Sequence, residues 1–191
     1  MISPRLRAAG ALALGLCILC GCASPSSIKP AEALDERTGM TVGSLEKPIE
    51  LVQAREIMAS PDRRVSFAYL GPVEWDQMGT ISYGLWVHLA PGNDWQFDDI
   101  RGAGAVRLSL DDGSTDLSPI EAPMLGHGPY QPVASWGQTA YFDLDLPMLR
   151  RMAASDKLEL DFKTRGEPRV GFIAGKDARN TLERYLHARG Y

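Results

Sequence analysis

The chain has 191 residues and a formal net charge of −4, with 24 acidic against 20 basic side chains. An acidic balance without a basic run is a poor match for the phosphates of nucleic acid or for anionic lipid headgroups. The three cysteines are Cys17, Cys20 and Cys22, so the chain beyond Cys22 holds no disulfide, no thiolate metal site and no cysteine nucleophile.

Arg5 and Arg7 open the chain, and Ala8 to Leu19 follows as an uncharged, almost wholly apolar stretch. At 1.5 Å per residue that stretch spans roughly 18 Å as a helix, short of the ~30 Å hydrocarbon core of a bilayer. The pattern is that of a signal peptide, residues 1–21. It ends in Leu19-Cys20-Gly21-Cys22, which resembles the lipobox of bacterial lipoproteins. Cys17 and Cys20 each follow a leucine, whereas Cys22 follows glycine, so Cys22 is the expected lipidation site. The resemblance implies a diacylglycerol thioether on Cys22, a third acyl chain such as palmitate on its freed amine, and a stable membrane anchor, since two or more chains hold where one does not. With Ala23 rather than aspartate after the cysteine, it further implies sorting to the outer membrane, with the domain in the periplasm. Cleavage removes Arg5 and Arg7, the only charged residues of the segment, and makes the mature chain more acidic by two charges.

Residues 22–33 begin with the lipidated cysteine and run through Ser24, Pro25, Ser26, Ser27 and Pro30, a composition with little to bury that suits a flexible tether. Residues 34–191 then form a single β-rich domain, long enough for one sizeable core. Alternation with period two marks strands at 41–42, 49–52, 65–69, 80–89, 106–110, 139–144, 157–162 and 170–173. In the clearest, Ile81, Tyr83, Leu85, Val87 and Leu89 share one face, and Thr80, Ser82, Gly84, Trp86 and His88 the other. Asp112-Gly113 and Pro91-Gly92-Asn93-Asp94 have the chemistry of hairpin turns. The expected fold is mainly β, an antiparallel sandwich or partly closed barrel of about eight strands. Two helices are expected beside it. One runs over 146–155, capped by Asp145, with Leu146, Leu149, Met152 and Ala153 inward. The other runs over 177–189, with Ala178, Leu182, Tyr185 and Leu186 inward and Arg179–Glu183 as an i,i+4 pair.

Leu34-Asp35, Thr38-Gly39-Met40-Thr41-Val42, Gly71-Pro72-Val73-Glu74, Met78-Gly79 and Tyr83-Gly84-Leu85-Trp86 resemble an uncharacterised group of proteobacterial envelope lipoproteins. The resemblance covers roughly residues 34–90 and implies no activity.

Candidate sites beyond Cys22 are few. His88, His127 and His187 have no metal-binding spacing, and no GxSxG elbow is present. Ser82 and His88 lie about 20 Å apart along one strand, too far to pair. Asp94 with Asp98-Asp99, and Asp111-Asp112 with Asp116, lack the ligand pattern of a calcium loop, and the second group suits a hairpin turn. Arg63-Arg64 and Arg150-Arg151 are the only close basic pairs and read as solvated positions. Residues 118–137, with Pro119, Pro123, Pro129, Pro132, Tyr130 and Trp136, form a long loop of the kind that often carries function, or else a proline-stiffened crossover. Trp86, His88, Trp95 and Phe97 form either an exposed aromatic surface or a layer covered by other chain. No catalytic residue, cofactor, metal or nucleic-acid partner is expected. The expected function is a membrane-anchored, non-catalytic binding or scaffolding domain with a partner in the envelope. The alternatives are a periplasmic hydrolase with its site around His88 or His127, and a carrier of a small ligand or lipid.

Overall fold

The computed structural model describes residues 28–53, 66–92, 96–124, 128–166 and 168–191. Among them are eleven strands: β1 Pro30–Asp35, β2 Met40–Leu45, β3 Ile49–Gln53, β4 Phe67–Gln77, β5 Thr80–Ala90, β6 Val106–Leu110, β7 Gly113–Asp116, β8 Pro119–Ile120, β9 Gln138–Leu144, β10 Leu158–Phe162 and β11 Val170–Ala174. All join one curled antiparallel sheet, with the order β7-β6-β10-β11-β3-β4-β5-β9-β8 along its main path. The fold is therefore mainly β, and a partly closed barrel rather than two stacked sheets. All eight expected strands are present. The additional ones are β1, β7 and the two-residue β8, too short or too irregular to show alternation.

The β4–β5 hairpin is the spine. Its register runs from Phe67 opposite Ala90 to Gln77 opposite Thr80. The connecting residues Met78 and Gly79 have φ of 53° and 85°, the left-handed pair that matches strand twist, and the Asp76 carboxylate accepts from the Gly79 N–H at 2.8 Å. Left-handed backbone costs an L-residue roughly 1–2 kcal/mol, so methionine is an unfavourable choice there. On the other edge of β4, β3 pairs with residues 67–70 and β2 with residues 74–76. β1 then adds to β2. The strand β1 begins at Pro30, so the ordered sheet takes in the last residues assigned to the tether. They are apolar or paired: Glu32 bonds Arg189.

Helices α1 Leu146–Ala154 and α2 Asp177–Ala188 lie within a residue of their expected bounds. Asp145 caps α1, accepting from the Met148 N–H at 2.7 Å. Leu149, Met152 and Ala153 of α1 are buried, with Ala178, Thr181, Leu182, Tyr185 and Leu186 of α2, and the two helices pack on each other. They join one core with Leu70, Leu85, Val87, Leu108, Phe142, Leu160 and Phe172 of the sheet.

Two expectations change. Pro91–Asp94 does not join neighbouring strands: β5 pairs with β4 and β9, whereas β6 pairs with β7 and β10. β5 and β6 lie far apart in the sheet order, and Asn93 and Asp94 lie outside the described residues. The hairpin turn expected at Asp112-Gly113 does close β6–β7, one residue earlier, at Asp111–Asp112, with Gly113 paired to Leu110. The second correction concerns β5. Its expected solvated face is buried along most of its length, with Trp86 at 1% and His88 at 0% exposure.

Candidate functional site

What buries that face is the chain between β8 and β9. Tyr130 is its bolt. Its hydroxyl donates to the Pro72 carbonyl at 2.9 Å and accepts from the Leu45 N–H at 2.9 Å. Its ring packs on Trp86 at 5.1 Å and lies over Gly71, where a β-carbon would stand 2.3 Å from the ring. Glycine is required there by close approach, not by backbone angle. The same device recurs at Gly84, where a β-carbon would stand 2.3 Å from the Trp75 ring. Gly71 and Gly84, the latter on the face of β5 expected to meet solvent, thus make room for two aromatic rings. Burial in this layer raises the Tyr130 phenol well above its ordinary range and pushes Tyr141 up to about 12.

His88 sits at the centre of this layer. Nε2 accepts from the Ala134 N–H at 3.3 Å, so the ring proton is on Nδ1, which donates to the Thr139 hydroxyl at 2.8 Å. Both nitrogens are used by the neutral ring, and burial holds its pKa below the ordinary value. Protonation would set an N–H against the Ala134 N–H. The ring stacks on Trp86 at 5.8 Å and 17°. No carboxylate among the described residues bonds it, and it is fully buried among them, so His88 lacks there what a general base needs. Phe97, at 7% exposure, is also covered, so Trp86, His88 and Phe97 all lie within packed layers. Trp136 stays 72% exposed at the loop's surface.

The loop leaves open clefts on its two flanks. One, of about 570 Å3, is lined by Arg101, Ile120, Glu121, Thr139 and Tyr141 among others. Here β8 stops, and the start of β9 is held instead by residues 98–101. Gln138 bonds the Ile100 N–H at 3.0 Å and the Asp98 carbonyl at 3.3 Å, and Arg101 donates to the Thr139 carbonyl at 3.4 Å. The other, of about 420 Å3, lies between β1–β2 and Met124, Gly128 and Pro129.

The polar clusters of the other elements have structural partners. Asp111 accepts from the Asp156 N–H, the Ser155 hydroxyl and the Lys157 N–H at 2.7, 3.0 and 3.1 Å. These bonds hold its carboxyl below the ordinary range and fasten the end of α1 to the β6–β7 turn. Asp112 pairs with Arg151 and Asp116 with Arg107. Asp98 pairs with Lys163 at 3.7 Å, and Asp99 accepts from the Arg101 N–H at 3.0 Å. Ser109 donates to Asp161 at 2.7 Å. At the end of α2, Arg189 bridges the buried Glu74 and the exposed Glu32, and the bond to Glu74 foremost raises the guanidinium pKa further. Tyr185 donates to the Gly43 carbonyl at 3.3 Å beside this pair. The cluster locks the terminal helix to the sheet.

Of the other positions expected from sequence to matter, Ser82 is exposed opposite Trp75, His187 is exposed on α2, and Arg179 pairs with both Glu183 and Asp156. Cys22, Arg63, Arg64, Asp94, Trp95 and His127 lie outside the described residues. No group of metal-ligating side chains occurs among the described residues, and no helix among them is long and apolar enough to cross a membrane. The buried carboxylate Glu74 and its partner Arg189 do not stand out in the sequence. Their only signal is Glu74 within the otherwise uncharged run Phe67–Trp75. No protein family, curated protein or solved structure matches this chain.

Proposed function

We propose that this chain is an envelope lipoprotein, cleaved before Cys22 and held on the outer membrane by lipid, with its domain in the periplasm. The domain binds or scaffolds another envelope component and does not catalyse a reaction. The observation that supports the non-catalytic reading is His88. It is the histidine best placed by sequence to serve a strand-borne site, yet it is sealed beneath residues 128–137 with both nitrogens committed. What remains open to a partner is the outer surface of that loop, with Trp136 and the two flanking clefts. Aromatic anchors ringed by polar groups are the usual basis of protein docking.

The test is crosslinking in intact cells, followed by mass spectrometry of what copurifies, with Cys22→Ala as the companion. Specific crosslinks from the 128–137 surface to an envelope component, together with acyl labelling that disappears in Cys22→Ala, are expected. Labelling that persists in Cys22→Ala removes the anchor. Turnover of a hydrolase substrate that is lost in a folded His88→Gln variant removes the scaffold.

A further inference from the structure

The turn end of the β1–β2 and β4–β5 hairpins carries a set of exposed apolar side chains that the core does not use. Leu34 pairs with Thr41, Thr41 with Asp76, and Asp76 with Ile81. These four therefore form one row across the sheet, on one face, with Leu34 and Ile81 about 14 Å apart at ~4.8 Å per strand. Leu34 is 63% exposed and Ile81 45%. Met78, at the tip of the longest hairpin, is 101% exposed. Met78 is also the sole non-glycine residue at positive φ among the described residues. An unfavourable conformation filled by a fully exposed apolar side chain, where asparagine or glycine is the stable choice, points to a role outside the fold. One step behind Ile81 on the same face stands Tyr83, ring to ring with Tyr191 at 5.9 Å, both only half-buried.

The geometry points to this end as a surface that rests on the bilayer. Met78, Leu34 and Ile81 enter the boundary between headgroups and acyl chains, with the tyrosine pair at headgroup level, where such amphipathic rings are favoured. This inference rests on the anchor at Cys22. The ordered sheet begins at Pro30, so eight residue steps separate the two. Fully extended, that many residues span at most about 29 Å. Strand β1 runs from Pro30 towards the turns for about 17 Å at ~3.3 Å per residue. The tether therefore reaches far enough for the turns to touch the membrane, and is too short to let the domain leave it. This confinement holds a weak apolar contact at high effective concentration. The local charges settle which kind of surface is met. Glu32, Asp35, Glu36 and Asp76 outnumber Arg37 and Arg189, so contact is apolar and does not depend on anionic lipid.

The test uses the full acylated protein in vesicles of phosphatidylcholine. Since Cys22 is blocked by lipid, Met78→Cys is the only free thiol and takes an environment-sensitive fluorophore. Val133→Cys is the matched control. Val133 is an exposed apolar position in the loop beside His88, which lies opposite Tyr69, far down the hairpin from Met78. The label at 78 is expected to shift to the blue, to be quenched by spin-labelled acyl chains, and to be several-fold less accessible to aqueous iodide than the label at 133. Adding anionic lipid or salt leaves this unchanged. A label at 78 as accessible as that at 133, on protein whose mass shows acylation, overturns the inference while leaving the anchor intact. Shielding that appears in detergent as well, or that grows with protein density, overturns it in favour of a second copy or a protein partner. A mass without acyl chains removes the anchor reading and this inference with it.

Discussion

Replacing Tyr130 by phenylalanine tests whether one hydroxyl holds the loop over the sheet. The change keeps the ring on Gly71 and Trp86 but removes the acceptor of the Leu45 N–H and the donor to the Pro72 carbonyl. Leu45 is 1% exposed and Tyr130 4%, so water does not easily replace the lost partner. Each stranded buried group costs about 1–3 kcal/mol, offset in part because the variant no longer buries a hydroxyl. The net loss is then ~2–3 kcal/mol. For a domain of this size that lowers the melting temperature by roughly 4–12 °C. Urea denaturation followed by circular dichroism is the assay, with the midpoint moving and the slope unchanged. The Gly71→Ala variant attacks the same contact from the other side, because its β-carbon would meet the ring at 2.3 Å, and such overpacking costs about 1–3 kcal/mol. The two changes share one contact, so the double variant loses less than the sum. A Tyr130→Phe protein within about 0.5 kcal/mol of the parent would refute the reasoning, since stranded buried partners cost more than that.

Stability should fall as pH drops below the ordinary histidine value near 6.5, because the unfolded chain takes a proton there and the neutral, buried His88 does not. Comparing denaturation midpoints at pH 7.5 and 5 in parent and His88→Gln tests this, and an equal fall in both would count against it. At the end of α2, Arg189→Ala leaves Glu74, whose side chain is 3% exposed, as a buried charge without its partner. A loss of about 3–5 kcal/mol is expected in thermal unfolding, most of it recovered when Glu74→Met is added. A loss below about 1 kcal/mol would show that water reaches Glu74, because a buried unpaired charge costs several times more.

Local patterning carried most of the architecture. Alternation over Thr80–Leu89, Val106–Leu110 and Leu158–Phe162 is enough to name strands, since neighbours along a strand point to opposite faces whatever the sheet does. Asp145 and the 3.6-residue spacing of Ala178, Leu182, Tyr185 and Leu186 likewise bound the helices, because caps and buried stripes are local. The proline and glycine chemistry of Pro91–Asp94 marks a break in the chain, but not which strands lie on either side of it. Which strands a turn joins depends on pairing far along the chain.

The candidate site was less legible for the same reason. Ser82, Gly84, Trp86 and His88 alternate with apolar residues, and a solvated face is the local inference. That face is buried where Tyr130, some forty residues later, bonds the backbone of both β2 and β4. Nothing near His88 in sequence announces Ala134 and Thr139 as its partners, and nothing near Glu74 announces Arg189 at the far end of the chain. By itself the sequence determined the fold class and the lack of thiol chemistry beyond Cys22, and it supplies the grounds for the proposed address, because these follow from composition and short-range spacing. The tertiary structure alone decided which polar side chains are sealed and which apolar ones are left outside, because burial is set by contacts between segments that sequence distance does not reveal.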